Sequence, residues 1–317
     1  MRALVTGAAG FVGSTLCERL IRDGYEVVGV DSFTPYYDPS IKHDNLQRVR
    51  LDDRFTMVEG DLMTCDVAQL LTGIDVVFHQ AGQPGVRLSW AEGFSTYVDL
   101  NIKVTQRLLE AARTTTLSRF VYASSSSVYG NALRYPVLET DLPRPQSPYG
   151  VTKLAAEHLA VLYARNYGVP TTSLRYFTVY GPRQRPDMAT QRLVEAAVEG
   201  RSFPLFGDGS QLRDFTYVDD IVEAKVLAAT ADTAPGEVLN LSGGSSVSMS
   251  ELIRVVEETV GRPVDVRREG DQAGDVTRTG GDSSKAARLL SWQPVVSLTE
   301  GVRRHVAYHS ERVALAD

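Results

Sequence analysis

Short apolar runs rich in β-branched residues, Ala3–Val5, Val27–Val30, Val76–Phe78 and Phe120–Ala123, recur through the first half of the chain. Runs of this length predict buried strands. Between them, apolar residues return every three or four positions, which predicts amphipathic helices over roughly 12–22, 94–113 and 148–167. Thr172–Leu174 and Val238–Leu241 predict two more strands. Strand–helix alternation is the pattern of βαβ units, so the expected fold class is α/β with a parallel sheet. After Tyr180 the texture changes, as Gly181-Pro182, Arg185-Pro186 and the Phe206–Gly209 turn punctuate shorter elements. The expected division is a sheet domain over 1–180 plus 218–243, and a smaller α+β lobe over 181–217 and 244–317.

Composition narrows this picture only modestly. A chain of 317 residues, 43% hydrophobic and 23% charged, can bury a large core. The net charge of −6 speaks against nucleic acid or an anionic membrane as the main partner, although a local basic site for an anionic substrate is compatible with it. Cys17 and Cys65 are the two cysteines, and Cys17 falls on a predicted amphipathic helix as a small core residue, so no disulfide framework is expected. No apolar run approaches the roughly 18–20 residues that span a bilayer. The chain enters a strand and a glycine-rich turn at once, leaving no room for a cleavable signal. The expectation is a cytoplasmic protein.

The first strand runs directly into Gly7, Gly10 and Gly13, which open a helix. Glycines there let the backbone turn tightly and approach a pyrophosphate, whose charge is favoured at the helix N-terminus. The next strand delivers Asp31, eighteen residues after Gly13. Its carboxylate can accept from adenosine ribose hydroxyls and would repel a 2′-phosphate, so the expected cofactor is NAD rather than NADP. The Gly-x-x-Gly-x-x-Gly spacing resembles that of the extended short-chain dehydrogenase/reductase family, and the resemblance covers nearly the whole chain. It implies a Rossmann-type, doubly wound sheet with a sugar-nucleotide lobe. It further implies that Phe11, Val12, Ser32, Asp61, Leu62, Gln80, Ala81, Gly82 and Tyr176 line the cofactor. His79, beside that segment, is read as a satisfied core histidine.

Tyr149 and Lys153 share a helix face at i and i+4, and Ser147 and Pro148 mark the start of that helix. A free phenol has a pKa of about 10. A nearby ammonium and a positive nicotinamide would lower it and make a phenolate usable as a base. Ser125, at the end of the strand Phe120–Ala123, can complete a Ser–Tyr–Lys relay around a sugar hydroxyl. By the family resemblance, the oxidised carbon is C4 of a nucleotide-linked hexose.

The flanking residues separate the family's reactions. Where dehydratases carry Thr-Asp-Glu and decarboxylases usually a Glu, this chain has Ser126 and Ser127, hydroxyls unable to do carboxylate acid–base work. Dehydration and decarboxylation are thereby disfavoured, leaving 4-epimerisation: oxidation at C4, rotation of the ketone, and return of hydride to its other face. Thr178 together with the segment Arg185–Ala189 resembles UDP-glucuronate 4-epimerases, as does the loop containing Gly85, Val86 and Arg87. A uronate carboxylate could pair with Arg185 and accept from Ser126, Ser127 and Thr178. The expected substrates are UDP-glucuronate and UDP-galacturonate. A neutral UDP-glucose or UDP-N-acetylglucosamine epimerase is the nearest alternative, followed by a decarboxylase and a non-enzymatic NAD sensor.

For the nucleotide, the resemblance points to Leu205, Phe206 and Gln211 around a uracil. It points also to Arg192, Arg213 and Arg268 as diphosphate ligands and to Asp271 on the ribose. Asp219 and Asp220 are expected to cap the following helix. The five scattered histidines give no metal-ligand spacing, so no metal is expected. The family also suggests a homodimer formed by the helices near 94–113 and 148–167.

Overall fold

The computed structural model describes residues 1–244, 246–270 and 276–316. Its strands, in chain order, are β1 (Arg2–Thr6), β2 (Glu26–Asp31), β3 (Phe55–Glu59), β4 (Val76–His79), β5 (Arg119–Ser125) and β6 (Thr171–Tyr176). They continue with β7 (Thr178–Tyr180), β8 (Ser202–Phe206), β9 (Leu212–Tyr217), β10 (Glu237–Leu241), β11 (Ser246–Ser248) and β12 (Asp265–Glu269). Seven strands form one parallel sheet in the order β10-β6-β5-β4-β1-β2-β3. All six strands expected from the apolar runs belong to it, and the return through 218–243 extends its edge as β10. The seventh, β3, carries no apolar run. It is an edge strand with one buried residue, Phe55, so little in its sequence needed to be hydrophobic.

Strand period and burial explain the double winding. Ala3, Val5, Val27, Val76, Phe78 and Val121 face one core, packed on Leu16, Cys17 and Leu20 of the helix Phe11–Arg22. Leu4, Val28, Val30, Val77, Phe120 and Tyr122 face a second, packed on Leu108, Leu109, Ala156 and Ala160. A sheet buried on both faces reads as continuous apolar runs, which is why its inner strands were legible. The first core does not stop at the sheet. It continues into Phe203, Phe215, Leu252, Val256, Trp292 and Val302 of the C-terminal elements.

Those elements are a three-stranded sheet, β11-β9-β7, a two-stranded pair, β12-β8, and helices over Ala189–Glu199, Met249–Val260, Ser284–Leu290 and Leu298–Ala316. The helix Val218–Thr230 begins without a side-chain cap. Asp219 and Asp220 stand in its first turn, where the helix dipole favours them. Asp220, however, spends its carboxylate elsewhere: its oxygens accept from Val295 N (3.2 Å) and Val296 N (3.1 Å), while its carbonyl takes the buried Trp292 indole N–H at 2.8 Å. The residue ties down a distant loop rather than capping the helix that carries it.

The expected helix over 94–113 is present but not uniform. α-Helical turns at Phe94–Tyr97 and Val104–Ala112 flank a π-helical segment, Val98–Lys103. Among the described residues no helix is long and apolar enough to cross a membrane.

Candidate active site

Strand order changes direction between β1 and β4, since β2 lies on one side of β1 and β4 on the other. The crevice at the carboxyl ends of the strands opens at such a point. Two adjoining cavities occupy it, sharing Phe11, Val12, Pro84, Ser124, Tyr149, Tyr176 and Arg185 as common wall.

The first cavity is lined by every residue expected around the dinucleotide. Gly7, Gly10, Phe11, Val12, Gly13, Asp31 and Ser32 are joined there by Asp61, Leu62, Gln80, Ala81, Gly82, Tyr149, Lys153 and Tyr176. The glycines are a packing requirement. A Cβ on Gly13 would lie 2.0 Å from the Gly7 carbonyl oxygen, and one on Gly7, at φ +69°, would lie 2.8 Å from Ala81 N. The helix Phe11–Arg22 starts at Gly10 with no side-chain cap and no acidic residue in its first turn. Its N-terminus is thus electrostatically open to an anion. Asp61 serves both readings at once, lining the cavity while its carboxylate accepts from Met63 N at 2.9 Å in a local turn. His79 is wholly buried, with both ring nitrogens engaged by Thr6 (2.8 Å) and Thr105 (2.9 Å) hydroxyls, and burial pushes its pKa down to about 3. It is a neutral core residue.

Asp31 has company that the sequence reading missed. Its carboxylate accepts from Ala9 N at 3.1 Å, Phe33 N at 2.8 Å and the buried Lys42 ammonium at 3.3 Å. Lys42 rides on the short helix Pro39–Asn45, whose Asp38–Pro39 start is a visible signal, but its meeting with Asp31 is tertiary. Asn101 was also missed. Sited in the π-helical segment, its carboxamide accepts from Gln83 N (2.7 Å) and donates to Gln83 O (3.1 Å) and the Thr152 hydroxyl (3.0 Å). It thereby joins the loop over the cavity to the helix carrying Tyr149.

That helix, Pro148–Tyr167, starts as expected, the Ser147 hydroxyl accepting from Gly150 N at 3.1 Å. Ser125 accepts from Ser127 N at 3.1 Å, and its hydroxyl favours the phenolate form of Tyr149. The electrostatics differ from the expectation. Burial raises the Tyr149 phenol above its ordinary value, and the opposing pulls come from the Ser125 hydroxyl and the Arg185 charge rather than from Lys153. The reason lies in Lys153 itself. Burial pushes its pKa down to about 7, Glu157 opposes that shift, and its Nζ lies 4.6 Å from the centre of the Tyr122 ring.

The second cavity brings together Gly85, Val86, Ser125, Ser126, Ser127, Tyr149, Thr178, Arg185 and Arg213 from the candidate substrate contacts. Arg185 is already engaged: Asp187 takes it by two bonds, at 2.9 and 3.0 Å, and the same carboxylate accepts from the Tyr36 hydroxyl at 3.3 Å. Among the described residues, the remaining expected contacts do not line this cavity. Arg87 lies over the Phe206 ring, 4.2 Å from its centre. Leu205 is buried in the core, and Gln211 donates to the Phe206 carbonyl at 3.1 Å. Arg268 is exposed on β12 opposite Leu205, and Arg192 is half-buried on the helix Ala189–Glu199. Asp271 lies outside the described residues.

The sequence profile of the NAD dependent epimerase/dehydratase family matches residues 3–242. The chain is 44% identical to the UDP-glucuronic acid 4-epimerase of Bacillus cereus, whose crystal structure in complex with UDP-glucuronic acid and NAD aligns with a TM-score of 0.96, covering 98% of this chain and 100% of that one. It is 43% identical over 314 residues to the uncharacterized UDP-glucose epimerase YtcB of Bacillus subtilis (strain 168), with 98% of each covered. Identity to the probable UDP-glucuronate 4-epimerase of Rhizobium meliloti (strain 1021) is 39% over 333 residues, covering 98% of this chain and 97% of the other. With the profile running from β1 to the end of β10, and relatives alike over their full length, the chain belongs to the NAD dependent epimerase/dehydratase family.

Proposed function

We propose that the chain is a 4-epimerase interconverting UDP-glucuronate and UDP-galacturonate with NAD as resident cofactor. The observation that carries this reading is one cavity where the Ser125–Tyr149 pair stands beside a cation, Arg185, and three hydroxyls, Ser126, Ser127 and Thr178. Charge-assisted bonds to a carboxylate contribute about 1.5–3 kcal/mol each. The glycine cradle and the uncapped helix N-terminus would hold the cofactor's pyrophosphate, and Asp31 its ribose. NAD supplies a reversible hydride acceptor at the sugar. The residues do the rest: Tyr149 takes and returns the C4 hydroxyl proton, Ser125 lowers the cost of its phenolate, and Arg185 adds positive charge nearby. The division of labour is a sheet domain, 1–180 plus 218–243, for the cofactor, and a lobe, 181–217 plus 244–317, for the sugar nucleotide. Val151, Leu162 and Tyr167, exposed on the helix Pro148–Tyr167, would be covered by a second copy in a homodimer.

A neutral-sugar epimerase has one observation in its favour: Asp187 already satisfies Arg185. Incubation with UDP-glucuronate, and separately with UDP-glucose, with the products identified by NMR, decides between them. UDP-galacturonate formed at least tenfold faster than UDP-galactose is the expected result. Turnover of the neutral sugar alone sinks the proposal, and a pentose product would assign the chain to decarboxylation.

A further inference from the structure

Lys225 has no part in the chemistry above, yet it is wholly buried, on the inner side of the helix Val218–Thr230. Its Nζ donates to the Tyr176 hydroxyl at 3.2 Å and lies 5.5 Å from the Phe78 ring centre. The titratable groups felt at its amine are Cys17 on the helix Phe11–Arg22 and Lys153 on the helix Pro148–Tyr167, while His79 on β4 feels both lysines. Among the described residues no carboxylate forms an ion pair with it. Burial moves the amine well below its ordinary pKa. An amine buried this way destabilises the fold relative to an apolar side chain of similar shape. What it does instead is complete a chain of hydrogen bonds that ends on the His79 carbonyl, a group that can only accept. With Lys225 donating into its oxygen, the Tyr176 hydroxyl turns its own hydrogen to Gln80 Oε1 at 3.2 Å, and Gln80 Nε2 donates to the His79 carbonyl at 3.1 Å. A carboxamide can face either way, and this chain selects one. Gln80 and Tyr176 both line the first cavity, and Tyr176 lines the second as well.

We propose that Lys225 is a positioning residue of the epimerase: through Tyr176 it fixes the orientation of Gln80 and so the polar wall against which the cofactor rests. This rests on the reading that the first cavity takes NAD, and the experiment separates the two. Lys225→Met, Tyr176→Phe and the double variant are compared with the unaltered protein. The measurements are NAD affinity by titration calorimetry on cofactor-stripped protein, Tm without ligand, and kcat and KM for the UDP-sugar. Expected for Lys225→Met are a Tm several degrees higher, NAD binding weaker by about tenfold, and kcat lower by tenfold or more with KM within twofold. Tyr176→Phe should show the same losses, and the double variant no more than either, because one chain is cut in each. NAD affinity and kcat within twofold of the unaltered values in Lys225→Met overturn the proposal. So does unchanged NAD affinity in Tyr176→Phe, a variant that keeps its ring and stands in if Lys225→Met does not fold. An unaltered protein that takes up no NAD would instead overturn the reading of the cavity.

Discussion

Ser125 and Arg185 are the two side chains that pull the Tyr149 phenol down against its burial. Removing either leaves burial less opposed, so the Tyr149 pKa must rise. Ser125→Ala should therefore move the acid limb of the kcat pH profile to higher pH and lower kcat at neutral pH by about 10²-fold or more. An unmoved limb would show that the titration belongs to another group. Arg185 has a second duty on the proposed substrate. The oxidised uronate is a β-keto acid, stable only while its carboxylate is held out of the geometry for loss of carbon dioxide. In Arg185→Gln and Thr178→Val, the ratio of pentose to epimer should rise several-fold, measured by NMR. If activity vanishes in both without any pentose, the carboxylate is held by other residues. Not all of this was legible in the sequence. Tyr149, Lys153 and Ser125 are announced by spacing and helix start, but the source of the charge acting on Tyr149 is not. Arg185 stands 36 positions away, and no local pattern says that burial would weaken the nearer lysine.

At the scale of elements, the helix Pro148–Tyr167 depends on a cap within one turn of the Tyr149 phenol. Ser147→Ala removes the bond to Gly150 N and should cost about 1 kcal/mol of stability by denaturant titration, with a fall in kcat because Tyr149 lies in the loosened turn. A stability loss with kcat untouched would mean that the cavity walls alone hold Tyr149. This cap was readable, as were the inner strands, since a sheet covered on both faces needs apolar runs. The edge strand β3 was not, because its side chains are mostly half-exposed. Nor was the π-helical segment Val98–Lys103, for apolar spacing gives a helix without revealing one wider turn inside it. That turn is where Asn101 reaches the loop at Gln83. π-Turns of this kind occur often at functional sites.

For the whole molecule, the relevant fact is a core that ignores the division of labour. Ala3 and Val5 of the sheet share a hydrophobic cluster with Leu252, Trp292 and Val302. Arg183 also pairs with Glu18, and Arg312 with Asp44, across the same join. Thermal unfolding of the protein without ligands should accordingly be a single calorimetric transition with equal calorimetric and van't Hoff enthalpies. Two resolved transitions would mean that the lobes melt independently despite the shared core. The sequence marked the change of texture after Tyr180 but not this continuity. Periodicity reports which face of an element is apolar, not what will lie against it.

Seven residues belong to both cavities, Tyr149, Tyr176 and Arg185 among them. An occupant of one chamber therefore presses on the partition that the other must use, and thermodynamic linkage makes the pressure mutual. If prior saturation with NAD tightens the grip on a UDP-sugar by some factor, saturation with the UDP-sugar must tighten the grip on NAD by that same factor. Where that factor exceeds one, the same partition holds the cofactor more firmly with a sugar nucleotide aboard than without one.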